Sequence, residues 1–430
     1  MSERGETGRP TRVLVMGQGY VGLPLAMRAV DVGFDVVGFD VDETRIKLLV
    51  SGESYVEDVS PSALAAALAT KRYRASSETK ACAGFDVAVI TVPTPLRDGN
   101  PDLSYIEDAA RTLARFLRPG ATVVLESTTY PGTTEELVAP VLEEGSGLVA
   151  GTDFHLGYSP ERIDPGNPTW TFVNTPKVVS GIDAASLEAV QSFYDALVSV
   201  TVPVASPKEA ELTKLLENTF RHVNIALVNE LAMFANDLGI DVWQAIDAAS
   251  TKPFGFMRFT PGPGVGGHCL PIDPSYLSWR VRRSLGHSFR FVELANDVND
   301  HMPEYVVRRL IAALNRLGRA VNGSRVLLLG LAYKANTGDA RESPAMAIAD
   351  QLLAMGALVH AADPLVVENP HVDTRIVRVD CSEDELAAAD AVVLLTDHDA
   401  FDLGLVARSA RYVLDCRRRL PQGGGNVEVL

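Results

Sequence analysis

Residues 12–42 read RVLVMGQGYVGLPLAMRAVDVGFDVVGFDVD, and this stretch indicates the fold. An apolar run leads into a glycine-rich turn, a segment of helical periodicity and a second apolar run, which is the pattern of a βαβ unit. The turn has the spacing GxGxxG at Gly17, Gly19 and Gly22, and Asp40 closes the second run. The combination predicts dinucleotide binding, because such glycines let the backbone approach a pyrophosphate at a helix N-terminus.

Asp40 also bears on which dinucleotide is bound. A carboxylate here accepts hydrogen bonds from an adenosine ribose and repels a 2′-phosphate, so the sequence predicts NAD as the cofactor rather than NADP. Arg45 leaves the other interpretation open, since a nearby arginine can hold that phosphate. For the glycines, the alternative is a structural turn without a ligand.

The remainder of the chain predicts a helical segment followed by a second α/β domain. Runs such as FDVAVITVP and GATVVLEST alternate with helical stretches, and KEAELTKLLENTFRHVNIALVNELAMFANDLGI then keeps helical spacing over roughly thirty residues. Strand-like runs return from SRVLLLGLAY onward, while the Gly-rich end QGGGNVEVL is left without predicted secondary structure. We predict an α/β fold with two Rossmann-like doubly wound domains joined by a long-helix central domain, with boundaries at 1–205, 206–318 and 319–430.

The composition argues against several classes of protein. The formal net charge is −16, so binding of nucleic acid by a basic surface is not expected. The N-terminal residues lack the apolar segment of a signal peptide, and no apolar run reaches the ~18 residues that span a bilayer, so we predict a cytoplasmic protein with no membrane partner. The four cysteines are far apart in the sequence, which argues against a disulfide framework or a metal site.

Cys269 has unusual surroundings within GVGGHCLPID, residues 264–273. Most cysteines pack as small apolar side chains, which explains Cys82, Cys381 and Cys416. The glycines around Cys269, however, offer few side chains for a core and expose backbone N–H groups that favour a thiolate. The sequence therefore predicts a nucleophilic thiol at this position.

Lys214 and Asn218 lie four residues apart in TKLLENT. On a helix these two positions share a face, so an ammonium and an amide approach the same place. A solvated helix face is the ordinary explanation of such a pair, and two donors for a developing oxyanion are the functional one.

Together these motifs resemble the UDP-glucose/GDP-mannose dehydrogenase family, the nucleotide-sugar C6 dehydrogenases. The resemblance covers nearly the whole chain and rests on seven ordered motifs: GQGYVG, TVPTP, ESTTYPGTT, SPERIDPG, KLLENT, GVGGHCLPID and LAYKANTGDARESPA. It implies an N-terminal NAD domain, a helical linker that forms a homodimer, and a C-terminal domain that binds the nucleotide sugar.

The resemblance also implies a reaction. The C6 alcohol of the sugar is oxidised twice, with two NAD+, to a carboxylate, and Cys269 traps the aldehyde as a thiohemiacetal that becomes a thioester. Asp273 matches a carboxylate that helps to handle water and protons. Lys214 and Asn218 match the lysine and asparagine that stabilise negative charge at C6.

Further residues match the family in the same way. Thr128 and Glu161 match residues that position water and transfer protons in thioester hydrolysis, and Lys334 and Arg341 match basic groups that reach phosphates or the cofactor. Adjacent residues on an extended loop point apart, so we expect a structural or substrate-contact role for His268 rather than a Cys–His pair. The implied NAD contacts are Gly17, Gly19, Tyr20, Val21, Gly22, Asp40, Arg45, Pro93, Thr94, Thr128 and Arg341, and the implied substrate contacts are Glu161, Arg162, Lys214, Asn218, Phe259, Gly266 and Lys334.

Two variable stretches bear on the sugar. SPERIDPGN, with Asp164-Pro165, and GGHCLPIDP with the preceding TKPFGFM resemble the branch that oxidises UDP-N-acetylglucosamine or UDP-N-acetylmannosamine, and UDP-glucose or dTDP-glucose is the alternative. The product is expected to enter a bacterial polysaccharide or a glycosylated natural product. Two other classes remain: a single-step hydroxyacid dehydrogenase that needs no thiol, and an inactive NAD-binding scaffold, which the retained candidate catalytic residues disfavour.

Overall fold

A computed structural model gives the fold of this 430-residue chain as two compact units. Among the described residues, the first unit contains those up to Glu217 and Ser275–Leu285, and the second contains Asn218–Pro274 and Gly286–Leu430. The three domain boundaries given above stay a prediction. The structure describes, apart from the side chains of Cys269 and Pro271, residues 10–56, 58–97, 99–163, 167, 169–267, 269–366, 372–421 and 425–430.

The first unit is built on a sheet whose strand order is that of a dinucleotide-binding fold. Its strands, together with a separate hairpin of β5 and β6, are β1 (Arg12–Met16), β2 (Asp35–Phe39), β3 (Tyr73–Ser76), β4 (Val87–Ile90), β5 (Leu96–Arg97), β6 (Asn100–Pro101), β7 (Thr122–Leu125), β8 (His155–Tyr158), β9 (Lys177–Gly181) and β10 (Thr201–Pro203). In the described part of the chain the sheet has eight strands in the order β10-β9-β8-β7-β4-β1-β2-β3. Neighbours are parallel except β8 and β9, which are antiparallel.

Helices cover this sheet, and three of them begin at a side chain that caps the helix N-terminus. Asp42, Ser60 and Asp183 accept hydrogen bonds from backbone N–H groups at the starts of three of them, which satisfies donors that a helix leaves unpaired. The helices are α1 (Gly22–Asp31), α2 (Glu43–Ser51), α3 (Pro61–Ala69), α4 (Ser104–Ala114), α5 (Ala139–Ser146) and α6 (Ala184–Asp195), with short helical turns at Thr79–Cys82 and Thr134–Val138.

Apolar residues are buried on both faces of the sheet. Val13 and Val15 of β1 belong to the cluster on one face, and Leu14 and Met16 belong to the cluster on the other. Successive strand residues point to opposite faces, so a central strand covered on both sides requires a continuous apolar run. The run RVLVM that begins the sequence motif is therefore explained by its central position.

The long helix predicted from the sequence is α7 (Pro207–Asp237), with 31 residues. In the second unit it packs against α8 (Val242–Ser250) through an apolar cluster, and against α10 (Arg290–Arg316) through buried side chains that include Asn229 hydrogen-bonded to Asn299 at 2.9 Å. In the sequence, α9 (Cys269–Leu285) comes between α8 and α10. No helix in the described part of the chain has the length and continuous apolarity needed to cross a bilayer.

The second unit contains a parallel sheet of its own. Its strands and helices are β11 (Arg325–Leu329), α11 (Pro344–Ala354), β12 (Leu358–Ala362), β13 (Val377–Arg378), α12 (Glu383–Ala388), β14 (Ala391–Leu394), α13 (Leu403–Ser409), β15 (Val413–Asp415) and β16 (Val427–Val429). Across the described residues the order is β13-β12-β11-β14-β15-β16, which confirms the predicted pair of doubly wound domains. The prediction that the Gly-rich end has no secondary structure is wrong, because Val427–Val429 pairs in parallel with β15.

Candidate active site

The glycine turn after β1 is formed by residues that other side chains could not replace. Gly17 has φ +96°, donates its N–H to the carbonyl of Phe39 at 2.7 Å, and a Cβ there would lie 2.7 Å from the carbonyl oxygen of Thr91. A Cβ on Gly22, the first residue of α1, would lie 1.9 Å from the carbonyl oxygen of Gly17. A Cβ on Gly19 meets nothing within 4 Å, so that side of the turn is open to a ligand.

Asp40 holds the same turn from the end of β2. Its carboxylate is 6% exposed and accepts hydrogen bonds from the backbone N–H of Gln18 at 2.8 Å and of Asp42 at 3.0 Å. Arg45 lies 3.5 Å from Asp40 and 3.5 Å from Asp42, so two carboxylates hold its guanidinium. The acid is thus fixed at the edge where a ribose would bind.

The other predicted NAD contacts in the first unit lie at the same edge of the sheet. Tyr20, half exposed, and Val21 form the turn before α1. Pro93 and Thr94 follow β4, the strand beside β1, and Thr94 accepts a hydrogen bond through its carbonyl from the hydroxyl of Tyr276. The strand order reverses between β1 and β4, which is where doubly wound sheets bind ligands. These residues fit NAD.

Glu161 follows β8 and has its carboxylate directed into the protein. Its Oε1 accepts from the backbone N–H groups of Arg162 and Ile163, each at 2.7 Å, and its Oε2 accepts from Lys177 Nζ at 3.0 Å. Lys177 Nζ also lies 3.1 Å from Glu126 Oε1. The sequence analysis missed Lys177 and Glu126, because their positions relative to Glu161 follow no local spacing.

The two carboxyl groups around Lys177 differ in their affinity for a proton. Burial by itself raises the pKa of Glu161, but Lys177 and the hydrogen bonds to its carboxylate outweigh burial, so that this pKa lies below its usual value. For Glu126 burial is the larger effect, and its pKa is raised although Lys177 and Tyr194 act in the opposite direction.

Lys214 and Arg162 meet Glu161 in the first unit. Lys214, on α7, donates from Nζ to the backbone carbonyl of Glu161 at 2.5 Å. Arg162 forms an ion pair with Glu217 at 2.6 Å and donates to the carbonyl of Pro176 at 2.7 Å. The structure therefore brings Lys214 to the adjacent predicted site residues Glu161 and Arg162, although it lies 53 residues from Glu161 in the sequence.

Thr128 lies half-buried on the loop that follows β7. The loop is fixed at one end by Ser127, whose hydroxyl donates to Val92. At the other end the buried carboxylate of Glu211 accepts from Gly132 N–H at 2.5 Å and from the N–H and hydroxyl of Thr134. Glu211 is a further residue that the sequence analysis missed, although it lies within KEAELTK.

In the second unit the structure brings Asn218 and Asp273 together. Asn218 Nδ2 donates to Asp273 Oδ2 at 2.6 Å, and both side chains are buried. Cys269 is the first residue of α9, one helical turn before Asp273, and a helix N-terminus favours a thiolate. The side chain of Cys269 lies outside the described residues, as do His268, Asp164 and Pro165.

The other three cysteines are poor nucleophiles. Burial raises the pKa of Cys82 and of Cys381 to about 11 and that of Cys416 to about 12. All three are therefore thiols at neutral pH. This agrees with the packing role that the sequence indicates.

The structure explains why glycines precede Cys269, which the sequence alone did not. A Cβ on Gly266 would lie 2.6 Å from the carbonyl oxygen of Glu342, and one on Gly267, where φ is +84°, would lie 2.7 Å from the ring of Tyr333. The N–H of Gly267 also donates to the carbonyl of Arg341 at 3.3 Å. The loop packs so closely against Tyr333 and Glu342 that positions 266 and 267 have no room for a side chain.

The second unit also contains the remaining candidate contacts with substrate or cofactor, Lys334, Arg341 and Phe259. Lys334 is half-buried and Arg341 is exposed, with its guanidinium 2.7 Å from Asp339. Phe259 packs edge to face against Phe220 at 5.8 Å between ring centroids. Their contacts with cofactor or substrate stay predictions.

A polar cavity in the second unit contains more arginines than acidic residues. Arg258 and Arg418 each lie 2.7 Å from Asp247, whereas Arg417 donates to the carbonyl of Leu395 at 2.7 Å. The sequence signal was CRRRL, an arginine run at the carboxyl end of β15, where such sheets bind ligands. The cavity, of about 480 Å³, is lined by Trp243, Asp247, Arg258, Thr260, Pro261, Asp397, Arg417, Arg418 and Arg419.

Metal ligation is not indicated in the described part of the chain, where no group of three or more His, Cys, Asp or Glu side chains could hold an ion.

Comparisons with known proteins match almost the full length of this chain to one family. Models of the UDP-glucose/GDP-mannose dehydrogenase family match as NAD binding domain at 11–225, central domain at 208–301 and UDP binding domain at 327–422. A UDP-N-acetyl-D-mannosamine dehydrogenase of Pyrococcus horikoshii is 36% identical over 391 residues, covering 91% of this chain and 90% of that protein. A UDP-N-acetyl-D-glucosamine 6-dehydrogenase of Pseudomonas aeruginosa is 40% identical over 359 residues, 83% of each protein.

A solved structure agrees as well. That of the UDP-D-ManNAc dehydrogenase from Pyrococcus horikoshii has a TM-score of 0.88 at 33% identity and covers 97% of this chain and 98% of that chain. The glycine turn, Asp40 and the switch between β1 and β4 define an NAD-binding protein of the doubly wound class. The chain belongs to the UDP-glucose/GDP-mannose dehydrogenase family and is an NAD-dependent nucleotide-sugar dehydrogenase.

Proposed function

We propose that this enzyme oxidises the C6 hydroxyl of UDP-N-acetylglucosamine or UDP-N-acetylmannosamine to a carboxylate, with UDP-glucose or dTDP-glucose as the alternative substrate. The names of the two relatives above support the N-acetylated sugars. The hydrogen bond between Asn218 and Asp273, one helical turn from Cys269, is the observation that carries the four-electron reaction. A single-step alcohol dehydrogenase needs no such arrangement around a thiol.

The proposed reaction consists of two oxidations and one hydrolysis. The C6 alcohol loses a proton from its oxygen and a hydride from its carbon to leave an aldehyde, and the Cys269 thiolate adds to the carbonyl carbon to give a thiohemiacetal. Loss of a second hydride from that carbon gives a thioester, to which water adds before the C–S bond breaks. NAD+, when bound, accepts the hydrides, so one alcohol and one water give one carboxylate, two NADH and three protons.

Lys214 and Asn218 are proposed to stabilise the oxyanion at C6. An amide has two N–H donors, and Asp273 uses one of those of Asn218, which leaves the second for a substrate oxygen. Lys214 adds a cation held by the backbone of Glu161. Removing one donor of this kind typically slows a reaction by about 10²–10³-fold.

Thr128 and Glu161 are proposed to act in the hydrolysis, where Glu161 accepts the proton of the attacking water. Three donors fix its carboxylate, and a carboxylate has about four acceptor sites, so one site remains for water.

The phosphates of the substrate are proposed to meet basic groups of the second unit. The chain as a whole is acidic, so a dianion needs locally concentrated positive charge. Arg417 of the polar cavity supports this, because its half-buried guanidinium donates to a carbonyl rather than to a carboxylate. Lys334 is the second proposed phosphate contact, and Arg341 a contact with the cofactor.

We further propose a cytoplasmic homodimer. Phe220, Leu227, Leu231 and Phe234 are spaced along α7 so that they share one face, and they are between 44% and 55% exposed. Exposed apolar stripes of this kind mark interfaces, and a second copy of the same helix satisfies the symmetry of a two-fold contact.

NADH formation with limiting sugar tests the proposal. UDP-N-acetylglucosamine, UDP-N-acetylmannosamine, UDP-glucose and dTDP-glucose are compared for wild type, Cys269→Ser and the control Cys381→Ser. We expect two NADH per molecule of one N-acetylated sugar, loss of that turnover in C269S, and retention in C381S. One NADH per sugar, or an active C269S variant, would contradict the thioester route, and turnover only with a glucose nucleotide would identify the alternative substrate.

A further inference from the structure

We infer that Lys177 is a positioning residue for the hydrolytic step: it holds Glu161 as an ionised carboxylate in one orientation, while Glu126 carries a proton. This inference rests on the proposed function, in which Glu161 accepts a proton from water. The three side chains form a buried cluster in the first unit, and each of the three residues is at most 9% exposed.

Lys177 fixes the orientation of the carboxylate. The two backbone N–H groups that bind Oε1 come from Arg162 and Ile163, which immediately follow Glu161, and these local bonds leave Oε2 free to turn. Lys177 Nζ binds Oε2 at 3.0 Å from a different part of the sheet. The backbone N–H of Lys177 donates to the carbonyl of Val200 at 2.9 Å, which fixes the lysine backbone at the start of β9.

Charge balance favours a proton on Glu126. One ammonium between two ionised carboxylates would leave a net negative charge in a largely buried cluster, and uncompensated buried charge is strongly destabilising. Glu126 Oε1 accepts from Lys177 and from the hydroxyl of Tyr194, whereas Oε2 has no hydrogen-bond partner among the described residues. Oε2 is therefore the atom that we assign the proton.

The opposite pKa directions of the two glutamates agree with this assignment. Burial raises the pKa of Glu126, which is the direction expected of the protonated member of the cluster. The pKa of Glu161 is lowered although burial opposes this, with Lys177 as the largest of the lowering influences. Removing Lys177 would leave burial as the dominant effect on Glu161.

Other charged groups near the cluster do not replace Lys177. Tyr194, on α6, directs its hydroxyl at Glu126. Lys214, on α7, donates to the backbone carbonyl of Glu161 rather than to the carboxylate, and Arg162 is engaged by Glu217. Within the described chain, Lys177 is thus the one cation hydrogen-bonded to the carboxylate of Glu161.

This arrangement has a defined consequence for hydrolysis. Water adds its oxygen to the thioester carbon and gives its proton to Glu161, after which the C–S bond breaks and Cys269 departs as the thiolate. Glu161 must be ionised before this step and must release the proton to solvent afterwards. An adjacent ammonium favours both, because it stabilises the ionised form.

The pH dependence of hydrolysis tests the inference. Wild type, Lys177→Met and Lys177→Arg are mixed with NAD+ and UDP-sugar, and the acyl-enzyme is followed by mass spectrometry of the intact protein from pH 5 to pH 9. In K177M we expect the acid limb of steady-state turnover to move up by at least about one pH unit, with accumulation of acyl-enzyme below it. K177R keeps the charge and is expected to restore most of the wild-type profile.

Two further variants separate this effect from general damage. Lys47→Met removes an exposed lysine of α2 and is expected to behave as wild type. Glu126→Gln replaces a protonated acid by a neutral amide, so its acid limb should move much less than that of K177M. A downward movement in E126Q would show that Glu126 is ionised in the wild type and would overturn the assignment of the proton.

The outcomes distinguish this inference from the proposed function. If C269S retains the wild-type turnover, the thioester route fails and the inference fails with it. If C269S loses turnover and K177M retains the wild-type pH profile while binding NADH normally, only the role of Lys177 is wrong. A K177M enzyme slowed equally at every pH, without accumulation of acyl-enzyme, also contradicts the inference.

Discussion

Buried glutamates of the first unit differ in their chemistry because their neighbours differ. Lys177 and two backbone N–H groups surround the carboxylate of Glu161 and favour its ionised form. Glu126 shares the same lysine, yet its second oxygen has no hydrogen-bond partner in the described residues. Glu211 accepts from neutral donors, so burial dominates and raises its pKa to about 7.

Glu211 is expected to make stability depend on pH. Its folded-state pKa of about 7 lies above the ordinary value of 4.5, so its contribution is complete below the ordinary value and is lost as pH rises toward 7. Glu211→Gln cannot ionise and loses one hydrogen bond at every pH. The difference in melting temperature between wild type and E211Q should therefore be larger at pH 5 than at pH 8.

The control for this experiment is Glu43→Gln, on the exposed face of α2. Its difference from the wild type should be small and nearly independent of pH. A gap for E211Q that widens from pH 5 to pH 8 would mean that the folded protein favours the ionised form of Glu211.

Single residues were predictable from the sequence where local geometry decides their role. Gly17, Gly22 and Asp40 act within one βαβ unit, so their spacing alone indicated their positions. Lys177 and Glu126 could not be found in this way. Only the folding of separate strands brings them together, and a lysine at the start of a strand has no distinguishing pattern.

At the scale of elements, the sequence indicated the loop before α9 but not the reason for its glycines, and it did not indicate the last strand. Gly264, Gly266 and Gly267 were recognised, but the segment that leaves no room for a side chain at these positions lies some seventy residues further along the chain. Strand β16 has three residues after a glycine run, too few for a periodic signal. Tertiary contacts hold it instead, since Glu428 pairs with Arg309 and Trp243 Nε1 donates to the carbonyl of Leu430 at 2.9 Å.

Gly267→Ala should impair catalysis beyond its cost in stability. The left-handed backbone costs a non-glycine residue about 1–2 kcal/mol, and the added methyl would also displace Tyr333 or the loop. Gly318→Ala is the matched control, with φ +69° and nothing within 4 Å of its Cβ position. G267A should lose at least as much stability as G318A in urea unfolding, but only G267A should lose turnover, by at least about tenfold.

If G267A retains full turnover, the position of the loop before α9 is not important for catalysis. Equal losses of turnover in both variants would attribute the effect to backbone strain alone.

At the scale of the whole molecule, the strand orders of the two sheets repeat each other. Each begins with a central strand, adds two strands on one side and then continues on the other. This repetition made the fold class predictable, since alternating strand and helix periodicities indicate such a sheet. The division into compact units was not predictable, because it depends on α7 and α10 packing through residues such as Asn229 and Asn299.

The oligomeric state is expected to depend on the exposed stripe of α7. Leu231→Glu places a charge in the middle of this apolar face and should convert a dimer into single chains, because an unpaired buried charge is costly at an interface. Light scattering after size-exclusion chromatography measures the mass directly. Val50→Glu, on exposed α2, is the control and should leave the dimer intact, whereas a dimeric L231E variant would exclude this face as the interface.

The antiparallel pairing of β8 with β9 has a consequence for how the protein can change. Tyr158, the last residue of β8, is opposite Ser180, Glu161 follows three residues after it, and Lys177 begins β9. The pair is therefore aligned by the sheet and not by the connecting residues between Ile163 and Pro176. Insertions, deletions or wholesale replacement of that connection can diversify it between relatives, or in the laboratory, while the ion pair stays aligned.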